Sequence, residues 1–128
     1  MAFLDSLAPF AHWVLRIALA SVFLYHGWGK IPPDEFAQGM GFPLVLAWLV
    51  ALGELAAGVL LLLGGFLKDW MTRLGALLVI VIMIGAIALV HWKNGWSVSD
   101  GGMEFQVVLL LVALYLLIKG NRVNAPLA

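Results

Sequence analysis

The sequence predicts an all-α fold, an integral membrane four-helix bundle, and three observations carry that expectation. Of the 128 residues, 64% are apolar and only 11% are charged, against roughly 45–50% and about 25% in soluble domains. The apolar residues fall into four segments, each close to the ~20 residues that cross a hydrocarbon core of ~30 Å. Between the segments stand clusters of Pro, Gly, Ser and Asp, which end helices. A soluble chain this small buries only about 60–70% of its surface. That is too little to hide so much Leu, Val, Ile and Ala, so lipid must be part of the solvent; the mean hydropathy of +1.07 agrees.

The first segment, Pro9–Gly29, includes Ala18-Leu19-Ala20, which has the look of a signal-peptide cleavage site. Asp5 precedes it, however, and no Lys or Arg appears before Arg16, whereas a signal needs a positive start and an unbroken apolar core. The apolar run also continues to Tyr25, so the expectation is a retained helix. Ile31-Pro32-Pro33-Asp34 closes it, and the connection from Lys30 to Phe42 has room for a short interfacial helix beginning at Asp34. The second segment, Pro43–Gly64, is opened by Gly41-Phe42-Pro43 and closed by Gly64-Gly65. The third is Met71–Trp92, and the fourth, Met103–Lys119, follows the turn-forming run from Ser97 to Gly102 and ends at Gly120-Asn121. The whole chain, 1–128, reads as one transmembrane domain. Trp13, Trp28, Trp48, Trp70, Trp92 and Trp96 mostly fall near segment ends, where amphipathic rings anchor at the interface.

Charge narrows the class further. The formal net charge is zero and there is no basic stripe, which argues against nucleic acid as a partner. Cysteine is absent, so this chain supplies no disulfide, thiolate metal site or iron–sulfur cluster. Four crossings put both termini on one side. That side carries Lys68, Arg73, Lys119 and Arg122, with Arg16 just inside the first helix, while the other has Lys30 and Lys93. The positive-inside rule then places both termini in the cytoplasm.

Ionisable residues at membrane depth are the informative ones, since a charge at a helix centre costs roughly 2.5–3.5 kcal/mol on insertion scales. Glu54 lies near the midpoint of the second helix, on a stripe of small residues with Ala47, Ala51, Ala57 and Gly58. Small residues let helices approach closely, so Glu54 is expected to point inward, either protonated or paired with a cation. Arg16 is the expected partner, the alternative being that it snorkels to the headgroups. His26 and Lys30 are one helical turn apart, with Tyr25 beside them, at the other end of the first helix. His91 ends the third helix and Glu104 begins the fourth. In a compact bundle His26, His91 and Glu104 converge above Glu54, forming a small polar site for proton-coupled chemistry. The bland readings are interface residues for His91 and Glu104, and a packing histidine for His26. No spacing motif supports a metal or haem site at His26 and His91, and no metal is expected. A faint echo links His26-Gly27-Trp28-Gly29-Lys30 to His91-Trp92-Lys93-Asn94-Gly95, each followed by a helix bearing a glutamate, Glu54 or Glu104.

Arg16-Ile17-Ala18-Leu19-Ala20, Tyr25-His26-Gly27-Trp28-Gly29-Lys30, Gly41-Phe42-Pro43, Leu52-Gly53-Glu54-Leu55-Ala56-Ala57-Gly58, His91 and Gly101-Gly102-Met103-Glu104 stand in the order found in the DoxX family. The resemblance covers about Leu15 to Gly120. It implies a small bacterial inner-membrane protein, a multi-pass bundle in the lipid bilayer beside other membrane or peripheral redox subunits. Some members are described as subunits of quinone-linked oxidoreductases, including sulfur-oxidising ones, and others accompany superoxide- and thiol-handling proteins. The expected function is therefore a quinone- or quinol-interacting membrane subunit of a redox complex, with quinone as the ligand. His26 and Glu54 would handle protons and the quinone head, Tyr25, Lys30, His91 and Glu104 would contribute to binding, and Arg16 with Glu54 would form the internal polar pair. The alternatives are a non-catalytic structural or accessory subunit of a larger membrane complex, or a small transporter, and a homo-oligomer is among the expected partner arrangements. Relatives often end in a Gly-x-Gly-x-x-Ser-x-Asp-like tail, whereas this chain reads Gly120-Asn121-Arg122-Val123-Asn124-Ala125-Pro126.

Overall fold

A computed structural model describes residues 1–124 and contains, among them, helices and turns with no strand. The last residues of the divergent tail, from Ala125 on, lie outside the described residues. Four long helices form the bundle: α2 (His12–Gly29), α4 (Leu44–Phe66), α5 (Asp69–Ala86) and α6 (Glu104–Lys119). Two short ones, α1 (Ala2–Leu7) and α3 (Asp34–Met40), precede α2 and α4. By length and composition α4, α5 with its continuation to Asn94, and α6 to Arg122 can each cross a membrane. The stretches Ala2–Phe10 and His12–Gly29 meet that measure together, as a span bent by 45°. Pro9 sits in the 3-10 turn at the bend, where its missing N–H and fixed φ break a helix.

α4 lies between α2 and α5, and α6 packs on α5. The core is made by Leu19 and Phe23 of α2, Ala57 and Leu61 of α4, Ala76 and Val79 of α5, and Ala113 and Leu116 of α6. Most other large apolar side chains, including Trp28, Trp70 and Trp92, stay on the outside, as they do when lipid replaces water around a bundle. The small stripe of α4 is the packing face: Ala47, Ala51 and Ala57 are fully buried. Opposite it, a Cβ on Gly27 of α2 would come within 3.0 Å of both the Ala51 carbonyl and Glu54 Cβ. The two helices cross there because neither carries bulk.

Gly64-Gly65 does not end α4, which runs on to Phe66. The glycines serve proximity instead. A Cβ at Gly64 would meet the Thr72 hydroxyl and backbone nitrogen of α5 at 2.5–2.6 Å, and one at Gly65 would meet the Trp13 ring of α2 at 2.6 Å. The arm of Arg16, which is fully buried, passes 3.3 Å from that same point at Gly65.

Arg16 Nε donates to His12 Nδ1 at 2.8 Å. Its Nη1 donates to the Leu61 carbonyl of α4 and to Thr72 Oγ1 of α5, both at 2.8 Å, and its Nη2 to Asn121 Oδ1 at 3.1 Å, beyond α6. Thr72 Oγ1 donates to the same Asn121 oxygen at 2.7 Å, and Asn121 Nδ2 donates to the Gly64 carbonyl at 2.9 Å. Nearby, Arg73 binds Asp69 at 2.6 Å and donates to the Leu117 carbonyl at the end of α6. One guanidinium thus touches all four long helices or their immediate ends.

This arrangement corrects the expected Arg16–Glu54 pair. α2 and α4 run antiparallel, and Arg16 meets α4 at Leu61, seven residues past Glu54. At 1.5 Å per residue that is about 10 Å along the helix, beyond the reach of the side chain once its donors are taken. Arg16 is matched by neutral acceptors, and Glu54 finds a different cation.

Removing Arg16 leaves several buried acceptors without donors, each worth about 1–3 kcal/mol. Arg16→Leu is therefore expected to lower the thermal midpoint of the detergent-solubilised protein sharply and to reduce its membrane abundance. Asn121→Ala should produce a smaller loss in the same assay.

Candidate functional site

At the end of the bundle opposite Arg16, a cavity of about 660 Å³ lies among α2, α3, α4, α5 and α6. Its walls are mostly aliphatic and aromatic, and five polar side chains line it: His26, Lys30, Glu54, His91 and Gln106. Leu46, Leu49, Val81 and Leu89 line it too and are also exposed on the outside of the bundle. The cavity therefore borders the lipid-facing surface.

Glu54 is placed by the small-residue face of α4 and has a side chain only 8% exposed. Lys30, just past the end of α2, reaches back into the bundle, and its Nζ donates to Glu54 Oε2 at 2.8 Å. The same ammonium lies 3.3 Å from the His26 carbonyl and 5.1 Å from the centre of the Phe36 ring of α3. A carboxylate out of water is tolerable only with such a partner. The helix that carries Lys30 descends beside α4, so the cation arrives from the loop end rather than from the Arg16 end.

His91 owes its position to a change of helical pitch. After Ala86 the chain of α5 widens into a π-helical turn, Ile87–His91, a feature that recurs at functional sites. His91 Nδ1 lies 2.7 Å from the Gly101 carbonyl, and its Nε2 lies 3.1 Å from Gln106 Nε2. A carbonyl only accepts, so Nδ1 carries a proton toward Gly101, and Nε2 faces the side-chain amide of Gln106. Gln106 Oε1 is buried and accepts no hydrogen bond from the described residues.

Of the residues marked by the sequence, His26, Lys30, Glu54 and His91 line one cavity. Tyr25 does not; it is 77% exposed, its ring set edge-on to His26 at 5.4 Å. Glu104 stands outside as well. Its Oε1 accepts from the Val98 N–H at 2.7 Å, and its own N–H donates to the Trp96 carbonyl at 3.0 Å. It closes the connection between α5 and α6, so the two glutamates of the sequence echo do different work. A search for ionisable residues misses Gln106, whose signal is a different one: it is the lone amide in the apolar run from Phe105 to Ile118. His12, Thr72 and Asn121 gave no such signal, because polar residues near helix ends are ordinary.

Comparison with known proteins adds the following. A family model described as DoxX matches residues 11–92. A Bacillus subtilis (strain 168) protein named "Putative oxidoreductase CatD" is 32% identical over 113 residues, which cover 85% of this chain and 78% of that protein. No solved structure matches.

The ion pair has a direct test. Lys30→Met strands a buried carboxylate, whereas Lys30→Met with Glu54→Leu removes both charges. A double-mutant cycle on thermal stability is expected to give a coupling of about 0.5–3 kcal/mol; additive losses would mean that the pair contributes nothing.

Proposed function

This chain belongs to the DoxX family of membrane proteins, and from that premise we propose that it is an oxidoreductase's membrane subunit holding a quinone or quinol head in the cavity. One observation carries the reading: a cavity of about 660 Å³ joins an apolar wall bordering lipid to a cluster of hydrogen-bonding and proton-carrying side chains. Small-molecule sites usually measure about 300–1,000 Å³ and are apolar with a few convergent polar groups. A planar head with oxygen at two poles and an apolar tail suits such a space. The oxidoreductase name of the Bacillus relative supports the redox half of the proposal.

When bound, the quinone/quinol couple supplies two-electron, two-proton redox chemistry. The chain's own residues would bind, orient and carry protons. Lys30 and His26 are donors for a head oxygen. Glu54, already hydrogen-bonded to Lys30, is the candidate proton acceptor within the apolar interior, and the partly exposed His26 is the candidate exchange point with the surface. The chain has no cysteine to ligate an iron–sulfur or thiolate-bound carrier, so the electron source is assigned to a partner subunit. The charge bias supports cytoplasmic termini, and with a bacterial inner membrane as the assigned setting the cavity falls in the outer leaflet half.

A purified chain is expected to bind a short-tail benzoquinone, detected by quenching of tryptophan fluorescence. Glu54→Gln and His26→Ala should slow quinone-dependent turnover of the assembled complex roughly a hundredfold, the low end for a lost general acid or base. Gly85 offers a cleaner block, since it lines the cavity and a Cβ there meets nothing within 4 Å. Gly85→Phe should fill the space and abolish binding with the fold intact. Unchanged binding in that variant would eliminate the cavity as the site.

The Lys30–Glu54 bond also ties α2 to α4, which favours a second reading, an accessory subunit whose polar pair serves stability alone. In that case Glu54→Gln lowers the thermal midpoint while turnover per assembled complex stays constant.

A further inference from the structure

The cavity has two kinds of border. Toward lipid its wall is aliphatic, with Leu46, Leu49, Val81 and Leu89, and offers a proton nothing to bind. Apart from Glu54, its polar side chains belong to the end of the bundle away from Arg16, where α2 gives way to the loop before α3 and α5 to the loop before α6. His26 and Lys30 stand on a boundary there. Each also lines a second pocket, of about 400 Å³, made with Tyr25, Trp28 and Gly29 at the end of α2. Tyr25 and Trp28 are exposed, and a Cβ at Gly29 would meet nothing within 4 Å, so this pocket opens to the surface. Inside, Lys30 holds Glu54 Oε2. Among the described residues only Gln106 Oε1 is both unpartnered and sealed. The free Glu54 Oε1 therefore keeps accessible surface, and Glu54 lines the cavity but not the outer pocket.

The opposite direction is closed. Between Glu54 and the Arg16 end the interior is filled by Leu19 and Phe23 of α2, Leu61 of α4 and Val79 of α5, each no more than 1% exposed. Beyond them stands Arg16, a fixed positive charge whose partners are all supplied by the bundle. A fixed arginine is one of the electrostatic barriers that exclude protons from membrane pores. We propose that the cavity exchanges protons with one face of the membrane alone, the face bearing the α2–α3 loop, by way of the outer pocket, His26 and Glu54 Oε1. An imidazole can take a proton on one nitrogen and release it from the other, and His26 touches both spaces. Lys30 fixes Oε2, which leaves Oε1 as the proton-carrying atom. The other titratable groups nearby are otherwise occupied or outside. His91 of the π turn has both nitrogens engaged, by the Gly101 carbonyl and Gln106. Asp34 and Glu35 of α3 are exposed, and Glu104 of α6 holds the Val98 N–H. The role of this route in function rests on the reading of the cavity as a quinone or quinol site: protons that a head-group oxygen gains or loses then cross to the loop face.

The experiment seals the chain into vesicles in a single orientation. Gln38→Cys on the exposed side of α3 reports that orientation through an impermeant thiol reagent, since the chain has no cysteine of its own. A lipid-soluble carbodiimide, which adds to a protonated carboxyl, then labels the wild-type protein while the pH is set separately on the two faces. Mass spectrometry locates the adduct. Labelling of Glu54 should quicken by up to about tenfold for each unit by which the loop-face pH is lowered, as for a single carboxylate that is mostly ionised. Lowering the pH on the face of the termini should change it by less than about twofold. No adduct on Glu54, a rate that follows the face of the termini, or one that follows neither face would overturn the proposal. An excess of short-tail benzoquinone judges the quinone reading separately. Protection of Glu54 supports that reading, whereas unchanged labelling would remove it and leave the proton route standing.

Discussion

A guanidinium enclosed by four helices is the constraint from which much of the rest follows. Arg16 stays charged under any ordinary condition, and in the interior of this bundle it is fully buried. Its hydrogens must be met by protein, and they are met by the His12 ring, the Leu61 carbonyl, Thr72 and Asn121. Those partners come from α2, α4, α5 and the segment after α6. No two of these helices can slide against each other without leaving a charge or an acceptor unpaired, and in lipid an orphan of that kind has no remedy. Apolar contacts alone do not impose such a register, since lipid tails compete for them on equal terms.

The glycines are consequences of that bolt. Gly64 and Gly65 would be unremarkable breakers in a soluble helix, but here α4 runs through them, and the space they leave admits Thr72, Trp13 and the arm of Arg16. With one end of the bundle fastened, the other can be hollow. The cavity at that end is bordered by the π-helical turn of α5, by α3, and by the Lys30–Glu54 bond that joins α2 to α4. The arginine network and the cavity thus lie at opposite ends of the same four helices, with separate polar groups at each.

Much of the candidate site was legible, and for a simple reason. In a chain so apolar, an ionisable group in or beside an apolar segment is conspicuous, so Glu54, His26, Lys30 and His91 stood out as residues and their approximate depth followed from helix position. Their partners did not follow. Arg16 and Glu54 look complementary along a sequence, but a helix advances only 1.5 Å per residue, and two turns separate the levels at which they sit. Glu104 and Tyr25 share a neighbourhood with the site without lining it, because a side chain's direction depends on the phase of its helix and on the loop it must hold. Gln106 carries no charge and so was passed over, although its buried side-chain oxygen has its own claim on a partner.

By itself the sequence determined that this protein is an all-α membrane bundle and belongs with the DoxX proteins, because hydropathy and segment length are properties of local composition and the motif order survives in the chain. It also determined which polar residues must be explained. Only the tertiary structure decided which of them meet: Arg16 with Thr72 and Asn121 across the whole chain, Lys30 with Glu54, His91 with Gln106. Those pairings depend on helix phase, on where the π turn falls and on how closely glycine lets two backbones approach. Each of these is settled by packing among segments distant in the chain, which no local pattern records.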